Sequence, residues 1–138
     1  MTLIDTGPMV ALLDRGQKDH RKCKAAFRVA RPSITTWLCL TEAMYFLGEL
    51  REWQGQNALW ALIEKGEIRL HSPDNGEWKR VSALMEQYRD TPMDVADASL
   101  VSLAELSGLR RILTFDSDFY VYRISGKDAF EMIPLDAE

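Results

Sequence analysis

The chain has 138 residues, of which 46% are hydrophobic and 28% are charged, and its formal net charge is −4. This length suits one hydrophobic core, and the composition excludes disordered, collagen-like and repeat proteins. The negative net charge argues against a protein that holds nucleic acid by its overall positive potential. We therefore expect one folded domain over residues 1–138.

The first half of the chain alternates short β-prone segments with helical ones. A buried strand is predicted over residues 2–4, ending at Asp5, and Pro8 suits the first turn of a helix through residue 13. Residues 18–30 carry apolar side chains at helical spacing opposite a row of bases, which predicts a basic amphipathic helix. The predicted elements that follow are a strand over 33–36, helices over 37–50 and 54–65, and a strand over 68–71.

The second half continues the alternation. Helices are predicted over 77–88 and 95–106, the latter closed by Gly108, followed by a strand over 111–114, a carboxylate-rich turn over 115–119 and a weak strand near 131–133. This order predicts an α/β fold, a three-layer α/β/α sandwich with a mainly parallel central sheet. Ligands of such sheets bind at the carboxyl ends of the strands, where Asp5 and Asp116 fall.

Some residues have an ordinary structural interpretation. Cys23 and Cys39 lack metal-binding spacing and are predicted to be reduced packing residues. Trp37 and Trp60 are predicted to lie in the core. His20 and His71 are assigned no role. The longest apolar runs are far shorter than the roughly 20 residues that cross a bilayer, and residues 1–5 do not resemble a signal peptide, so we expect a cytoplasmic protein without a membrane partner.

Four carboxylates stand in apolar surroundings: Asp5, Glu42, Asp97 and Asp116. Two ionised carboxylates about 5 Å apart repel by roughly 3 kcal/mol at an effective dielectric near 20, so a cluster of four needs a cation. Carboxylate oxygens without Cys or His favour Mg²⁺ or Mn²⁺. Such ions suit phosphoryl chemistry, because they orient a phosphodiester and lower the pKa of bound water.

Four segments together resemble a known family. They are LIDT at residues 3–6, TEA at 41–43, MDVADASL at 93–100 and TFDSDF at 114–119. In their order and spacing they resemble the PIN-domain metal-dependent ribonucleases, and within these the VapC-type toxins of toxin–antitoxin pairs. The resemblance extends over nearly the whole chain.

The resemblance implies a three-layer α/β/α nuclease that cuts RNA with Mg²⁺ or Mn²⁺. The catalytic residues would be Asp5, Glu42, Asp97 and Asp116, of which Asp5, Asp97 and Asp116 would bind the metal. The residues expected to orient these carboxylates are Thr6, Asp94, Thr114 and Asp118. A small antitoxin and a second copy of the chain, giving a homodimer, are the expected protein partners.

The basic segment before residue 31 is the candidate contact for RNA phosphates. The residues that we assign to it are Arg15, Lys18, Arg21 and Lys22. A charge run is also typical of a solvated helix face, and this alternative stays open.

The carboxylates have structural alternatives too. Asp5 can cap a helix, Asp94 and Asp97 have the spacing of a capping box, and a turn would accept Asp116 or Asp118. Glu42 could pair with a buried arginine.

Three other functions remain open on the sequence alone. The domain could be a non-catalytic protein-binding module, or a stand-alone nuclease without an antitoxin. A phosphatase of the haloacid-dehalogenase type ranks last, because its second Asp would stand where this chain has Gly7.

Overall fold

The computed structural model describes residues 1–135, so residues 136–138 of the expected domain lie outside the described residues. The strands are β1 (Thr2–Ile4), β2 (Ser33–Thr36), β3 (Ile68–His71), β4 (Arg111–Leu113), β5 (Arg123–Ile124), β6 (Asp128–Ala129) and β7 (Glu131–Met132). The helices are α1 (Thr6–Leu13), α2 (His20–Ala30), α3 (Trp37–Glu64), α4 (Glu77–Gln87) and α5 (Val95–Ser107), with a 3₁₀ turn at Ser117–Tyr120. Within residues 1–135, no helix has the length and apolar character that crossing a membrane requires.

Five strands form the central sheet in the order β3-β2-β1-β4-β7, and every neighbouring pair is parallel. β1 lies in the middle, where Leu3 pairs with Ile34 of β2 and Ile112 of β4. All three residues of β1 are buried, as expected for a strand covered on both faces. The carboxyl ends of β1, β2, β3 and β4 therefore meet at one edge of the sheet.

The helices cover both faces of this sheet. The chain runs from β1 through β2 to β3 in one direction, and α4 and α5 then bring it back to β4 on the other side of β1. Because parallel crossovers are right-handed, the helices of the outward path and those of the return path lie on opposite faces. This confirms the predicted three-layer α/β/α sandwich.

Helix α3 contains a break at Glu52, whose φ of 55° and ψ of −149° are not helical. The break separates the two helices that the sequence predicts over 37–50 and 54–65. The Gln56 side-chain amide donates to the Met44 carbonyl oxygen at 3.1 Å, which ties the two parts together.

The core predictions are right for the cysteines and wrong for the tryptophans. Cys23 and Cys39 are buried and unbridged. Trp37 and Trp60 are 46% and 38% exposed. The buried stripe of α3 runs through Cys39, Ala43, Leu47 and Leu59, so small and aliphatic side chains occupy the core face and the two indoles lie beside it.

A short hairpin of β5 and β6 is absent from the predicted elements. Its strands have two residues each and pair antiparallel, Arg123 with Ala129 and Ile124 with Asp128. The turn contains Ser125 and Gly126, both with positive φ. Strands of two residues are too short for the alternation of apolar and polar side chains to be recognised in the sequence.

Candidate active site

The acidic side chains reach the carboxyl edge of the sheet from different elements. Asp5 directly follows β1, and Asp116 lies three residues beyond the end of the adjacent β4. Glu42 lies in the second turn of α3, the helix that follows β2. Asp97 lies in the first turn of α5. Long stretches of sequence separate these residues, and the parallel sheet brings their elements to one edge.

Asp5 is buried and accepts hydrogen bonds from Thr6 and Thr114. Its Oδ1 accepts the Thr6 backbone N–H at 2.8 Å as the N-cap of α1, and its Oδ2 accepts the Thr114 hydroxyl at 2.7 Å. Burial raises the pKa of Asp5, the two hydrogen bonds oppose the rise, and the charges of Asp116 and Glu42 raise it further. The predicted cap is therefore present, and Asp5 also lies within electrostatic reach of two other predicted site residues.

Glu42 is oriented by Thr6, whose hydroxyl donates to Glu42 Oε1 at 2.8 Å. The same hydroxyl lies 3.2 Å from the Cys39 carbonyl oxygen. Within residues 1–135, Glu42 forms no ion pair with an arginine. The alternative in which a buried arginine neutralises Glu42 is therefore wrong for the described part of the chain.

Asp94 and Asp97 form the capping box that their spacing predicts. The Asp97 N–H donates to Asp94 Oδ1 at 2.8 Å, and the Asp94 N–H donates to Asp97 Oδ2 at 3.2 Å. Burial, followed by the charges of Asp94, Asp5 and Asp116, raises the pKa of Asp97 to about 7. Asp97 thus caps α5 and at the same time experiences the negative charge of the sheet edge.

Asp116 begins the turn after β4. Its N–H donates to the Thr114 hydroxyl oxygen at 3.0 Å, and its Oδ1 accepts the Asp118 N–H at 2.9 Å. Thr114 therefore links two carboxylates, because it accepts from the backbone of Asp116 and donates to the side chain of Asp5. The side chain of Asp118 has no contact here that assigns it to the site.

Tyr122 is a neighbour of the acidic residues that the sequence analysis missed. Its side chain is fully buried, and within residues 1–135 its hydroxyl has no hydrogen-bond partner. Burial raises its pKa, and the charges of Asp97 and Asp118 contribute to the rise. A tyrosine three residues after the end of a carboxylate-rich turn gives no periodic signal, so only the folded chain places it here.

The negative charges are not neutralised by protein cations. In the part of the chain that the structure describes, neither Asp5, Asp97 nor Asp116 forms an ion pair. In that same part, no three His, Cys, Asp or Glu side chains converge closely enough to hold a metal ion as they stand. Each of the three aspartates instead accepts a protein hydrogen bond. The chemistry of the donors, carboxylate oxygens without a protein cation within residues 1–135, fits Mg²⁺ or Mn²⁺.

Two of the four predicted RNA-contact bases line cavities that also contain predicted site residues. Lys22 lines a cavity of about 520 Å³ together with Thr114 and Asp116. Lys18 lines a neighbouring cavity of about 370 Å³ that also includes Thr6.

The other two bases are not brought to these cavities. Arg15 and Arg21 are exposed, and neither lines the cavity of Lys18 or that of Lys22. The structure therefore separates Lys18 and Lys22 from the other members of the predicted group.

Comparison with known families decides the identity of this fold. The family model of the PIN domain matches residues 2–124. The chain belongs to the PIN-domain family. Its five-stranded parallel sheet flanked by helices matches the PIN-like fold.

Two solved structures share the fold. The VapC20 toxin of Mycobacterium tuberculosis, described as cleaving the sarcin–ricin loop, has a TM-score of 0.80 and 17% identity, covering 88% of this chain and 94% of that one. A toxin–antitoxin complex from Klebsiella pneumoniae has a TM-score of 0.67 and 18% identity, covering 86% and 90%. At these identities the likeness is one of fold. A search of the curated proteins finds no match.

Proposed function

We propose that this PIN domain is a Mg²⁺- or Mn²⁺-dependent endoribonuclease and the toxin of a type II toxin–antitoxin pair. The observation that carries the proposal is the uncompensated charge at the sheet edge. Asp5 is buried, its pKa is raised by burial and by Asp116 and Glu42, and no cationic side chain within residues 1–135 pairs with it. Buried carboxylates arranged in this way are stabilised by a bound cation.

Asp5, Asp97 and Asp116 are the proposed metal ligands. When bound, the ion would polarise the phosphodiester and lower the pKa of a water molecule for in-line attack. The residues around the ligands supply orientation. Thr114 holds Asp5 Oδ2, and Thr6 holds Glu42 Oε1. Glu42 is the proposed catalytic carboxylate outside the ligand set, which would accept a hydrogen bond from the attacking water molecule.

RNA is the proposed substrate, and the two lysines beside the acids support this assignment. A phosphate group approaching Asp5 and Asp116 would meet strong negative potential without a compensating positive charge. Lys18 and Lys22 lie on cavities that include Thr6 and Asp116 respectively, so they can attract the phosphates that flank the scissile bond.

The proposed protein partners are an antitoxin and a second copy of the chain. Exposed apolar side chains on α3 support a protein partner: Tyr45, Phe46, Leu50 and Trp53 are all at least 47% exposed. Such surfaces are typical of protein interfaces. Light scattering at several concentrations would measure whether the chain dimerises. A short DNA-binding protein encoded in the neighbouring reading frame would support the antitoxin over a stand-alone nuclease.

Substitution of Asp5 tests the enzymatic proposal. Purified wild-type protein should cleave single-stranded RNA with Mg²⁺ or Mn²⁺ and should not do so in EDTA. Asp5→Asn preserves the shape and the capping oxygen, and we expect it to abolish cleavage while the far-UV circular dichroism is retained. Asp90→Asn is the matched control, because Asp90 is exposed and is not one of the proposed site residues. Equal cleavage in EDTA would reject the metal-dependent mechanism.

A non-catalytic binding module is the second candidate function. The observation that favours it is that Asp5, Asp97 and Asp116 all accept backbone N–H groups, as purely structural caps would. Calorimetric titration with Mn²⁺ separates the two. The nuclease proposal expects Mn²⁺ binding that Asp5→Asn and Glu42→Gln weaken and Asp90→Asn leaves unchanged. A module with structural caps alone gives no heat that Glu42→Gln reduces.

A further inference from the structure

A third cavity lies at the same edge of the sheet, on the side of β3. Its volume is about 350 Å³, which is within the range of small-ligand sites. Trp37 at the start of α3 and Trp78 of α4 line it, together with His71 at the end of β3 and Glu77. The metal proposal makes no use of these four residues.

This cavity is physically connected to the acidic residues. Thr36 and Ser99 line it, and their hydroxyl oxygens are 2.7 Å apart. The Thr36 hydroxyl also accepts the Cys39 N–H at 3.2 Å, and Cys39 Sγ lies 3.8 Å from Asp5 Oδ1. β3 is two strands from β1, and neighbouring strands are about 4.8 Å apart, so His71 lies on the order of 10 Å from Asp5 along the edge.

The indole rings of Trp37 and Trp78 are both exposed to solvent and can contact a ligand. Trp37 is 46% exposed and Trp78 is 65% exposed, although both belong to the residue type with the largest apolar surface. Indole rings on a concave surface are suited to stacking against planar groups, and aromatic side chains are the common stacking platforms for unpaired bases.

His71 provides a polar group with a defined direction. Its Nε2 lies 2.9 and 3.0 Å from the two oxygens of Glu77. Because an ionised carboxylate only accepts hydrogen bonds, Nε2 carries the proton, and in the neutral ring Nδ1 is an acceptor. Within residues 1–135, Nδ1 of His71 has no hydrogen-bond partner. It is therefore free to accept from the amino or imino group of a planar ligand.

We propose that the cavity of Trp37, Trp78 and His71 binds an unpaired nucleobase of the RNA substrate, within a few nucleotides of the cleaved bond. The inference rests on the proposed nuclease function for the identity of the ligand. The two indoles stack on the base, and His71 Nδ1 accepts from its edge. Lys22 lies on the β4–β7 side of β1 and this cavity lies on the β3 side, so phosphate contacts and base contacts flank the acidic residues from two directions.

Binding of a labelled oligoribonucleotide tests this proposal independently of cleavage. Fluorescence anisotropy in EDTA would measure the affinity of a short single-stranded RNA and of an abasic analogue with the same backbone. We expect Trp78→Ala to weaken RNA binding at least about fivefold, since stacking is worth that much per base, and to leave binding of the abasic analogue unchanged. Trp60→Ala is the matched control, because Trp60 is 38% exposed and does not line the cavity.

A second variant tests the polar contact. His71→Phe keeps a ring of similar size but removes the acceptor, so we expect it to reduce the differences between AMP, GMP, CMP and UMP in competition with the labelled RNA. Differences in the variant as large as those in the wild type would reject the assignment of His71.

Several results would overturn the proposal. One is that Trp78→Ala binds RNA as tightly as the wild type. Another is that the wild type binds the RNA and the abasic analogue equally well. A third is that Trp78→Ala loses antitoxin binding but keeps RNA binding, which would assign the cavity to a protein partner. Failure of the nuclease proposal would give a different result. If the wild-type protein binds bases through Trp78 but does not cleave RNA with Mg²⁺, the cavity assignment stands and the enzymatic proposal is rejected.

Discussion

Helix α5 carries two carboxylates whose surroundings are opposite. Glu105, near the C-terminal end, accepts Arg80 Nε at 2.7 Å, Arg80 Nη2 at 2.8 Å and the Ser125 N–H at 2.9 Å. These partners lower its pKa, with the Arg80 hydrogen bonds as the largest cause. Asp97, in the first turn, has acidic neighbours and burial that raise its pKa to about 7.

The difference separates a structural carboxylate from a proposed metal ligand. Arg80 and Glu105 connect α4 to α5, and the Ser125 N–H connects Glu105 to the hairpin of β5 and β6. The negative charge of Glu105 is therefore neutralised by contacts that stabilise the fold. Asp97 has no protein cation within residues 1–135. A perturbed carboxylate at the carboxyl edge of a parallel sheet indicates a site, whereas a neutralised one indicates an architectural contact.

Substitution of Asp97 should have the largest effect on activity. We expect Asp97→Asn to lower RNA cleavage by about two orders of magnitude or more, since loss of a metal ligand removes several kcal/mol of transition-state stabilisation. The same change removes a repelled charge, so the metal-free variant should have a higher melting temperature than wild type at pH 8. Cleavage assays and thermal denaturation measure the two effects. A variant that loses stability and retains cleavage would contradict the comparison.

Substitution of Glu105 should produce the opposite pattern. We expect Glu105→Gln to lower the free energy of unfolding by about 1–2 kcal/mol, because it removes a two-point contact with Arg80 that is partly exposed to solvent. Cleavage under folding conditions should be unchanged. Urea denaturation and the cleavage assay test this together. A large loss of activity at full folding would show that Glu105 contributes to the site.

The pH dependence of stability sharpens the same comparison. Since the folded-state pKa of Asp97 is raised above its ordinary value of 3.8, the folded chain binds more protons than the unfolded one, and its stability should fall as pH rises from about 4 to about 7. Glu105 has a lowered pKa, so its contribution should be present above its ordinary pKa of 4.5 and disappear as pH falls further. Urea midpoints in EDTA measure both effects. In Asp97→Asn, stability should decrease less between pH 4 and pH 7 than it does in the wild type. An unchanged pH profile would show that Asp97 does not cause the decrease.

The smallest expected effect concerns the lysines near the acids. We expect Lys22→Ala to raise the KM for RNA by about twofold to fivefold with little change in kcat, and to reduce the salt dependence of binding. Arg15→Ala is the matched control, because Arg15 is exposed and lines neither cavity of the lysines. Equal effects of the two substitutions would favour a diffuse electrostatic contribution of the whole basic segment.

Much of the fold is predictable from local sequence, and particular residues show why. Asp94 and Asp97 precede an apolar helical run at the spacing of a capping box, and the structure contains that box. Gly108 follows the same run and has the left-handed conformation that ends a helix, with a φ of 76°. These signals depend on neighbours within a few residues, so folding of the remote chain does not alter them.

Trp37 and Trp60 show where the prediction fails. Hydrophobicity and helical spacing alone place both indoles in the core, but the buried stripe of α3 passes through smaller side chains. Which face of a long helix is covered depends on its neighbours in space. The role of Tyr122 beside the acidic residues and the cavity of Trp37 and Trp78 depend on such neighbours too.

The sequence by itself determined the alternation of strands and helices, the helix caps and the four acidic positions, because short-range spacing and residue chemistry control them. Tertiary structure alone decided that Thr114 holds Asp5, that Thr6 holds Glu42, and that Lys18 and Lys22, unlike Arg15 and Arg21, line cavities with predicted site residues. The physical reason is that parallel strands from distant parts of the chain end at one edge. The distances between the side chains at that edge, and so their hydrogen bonds and charge interactions, depend on how the strands and helices pack.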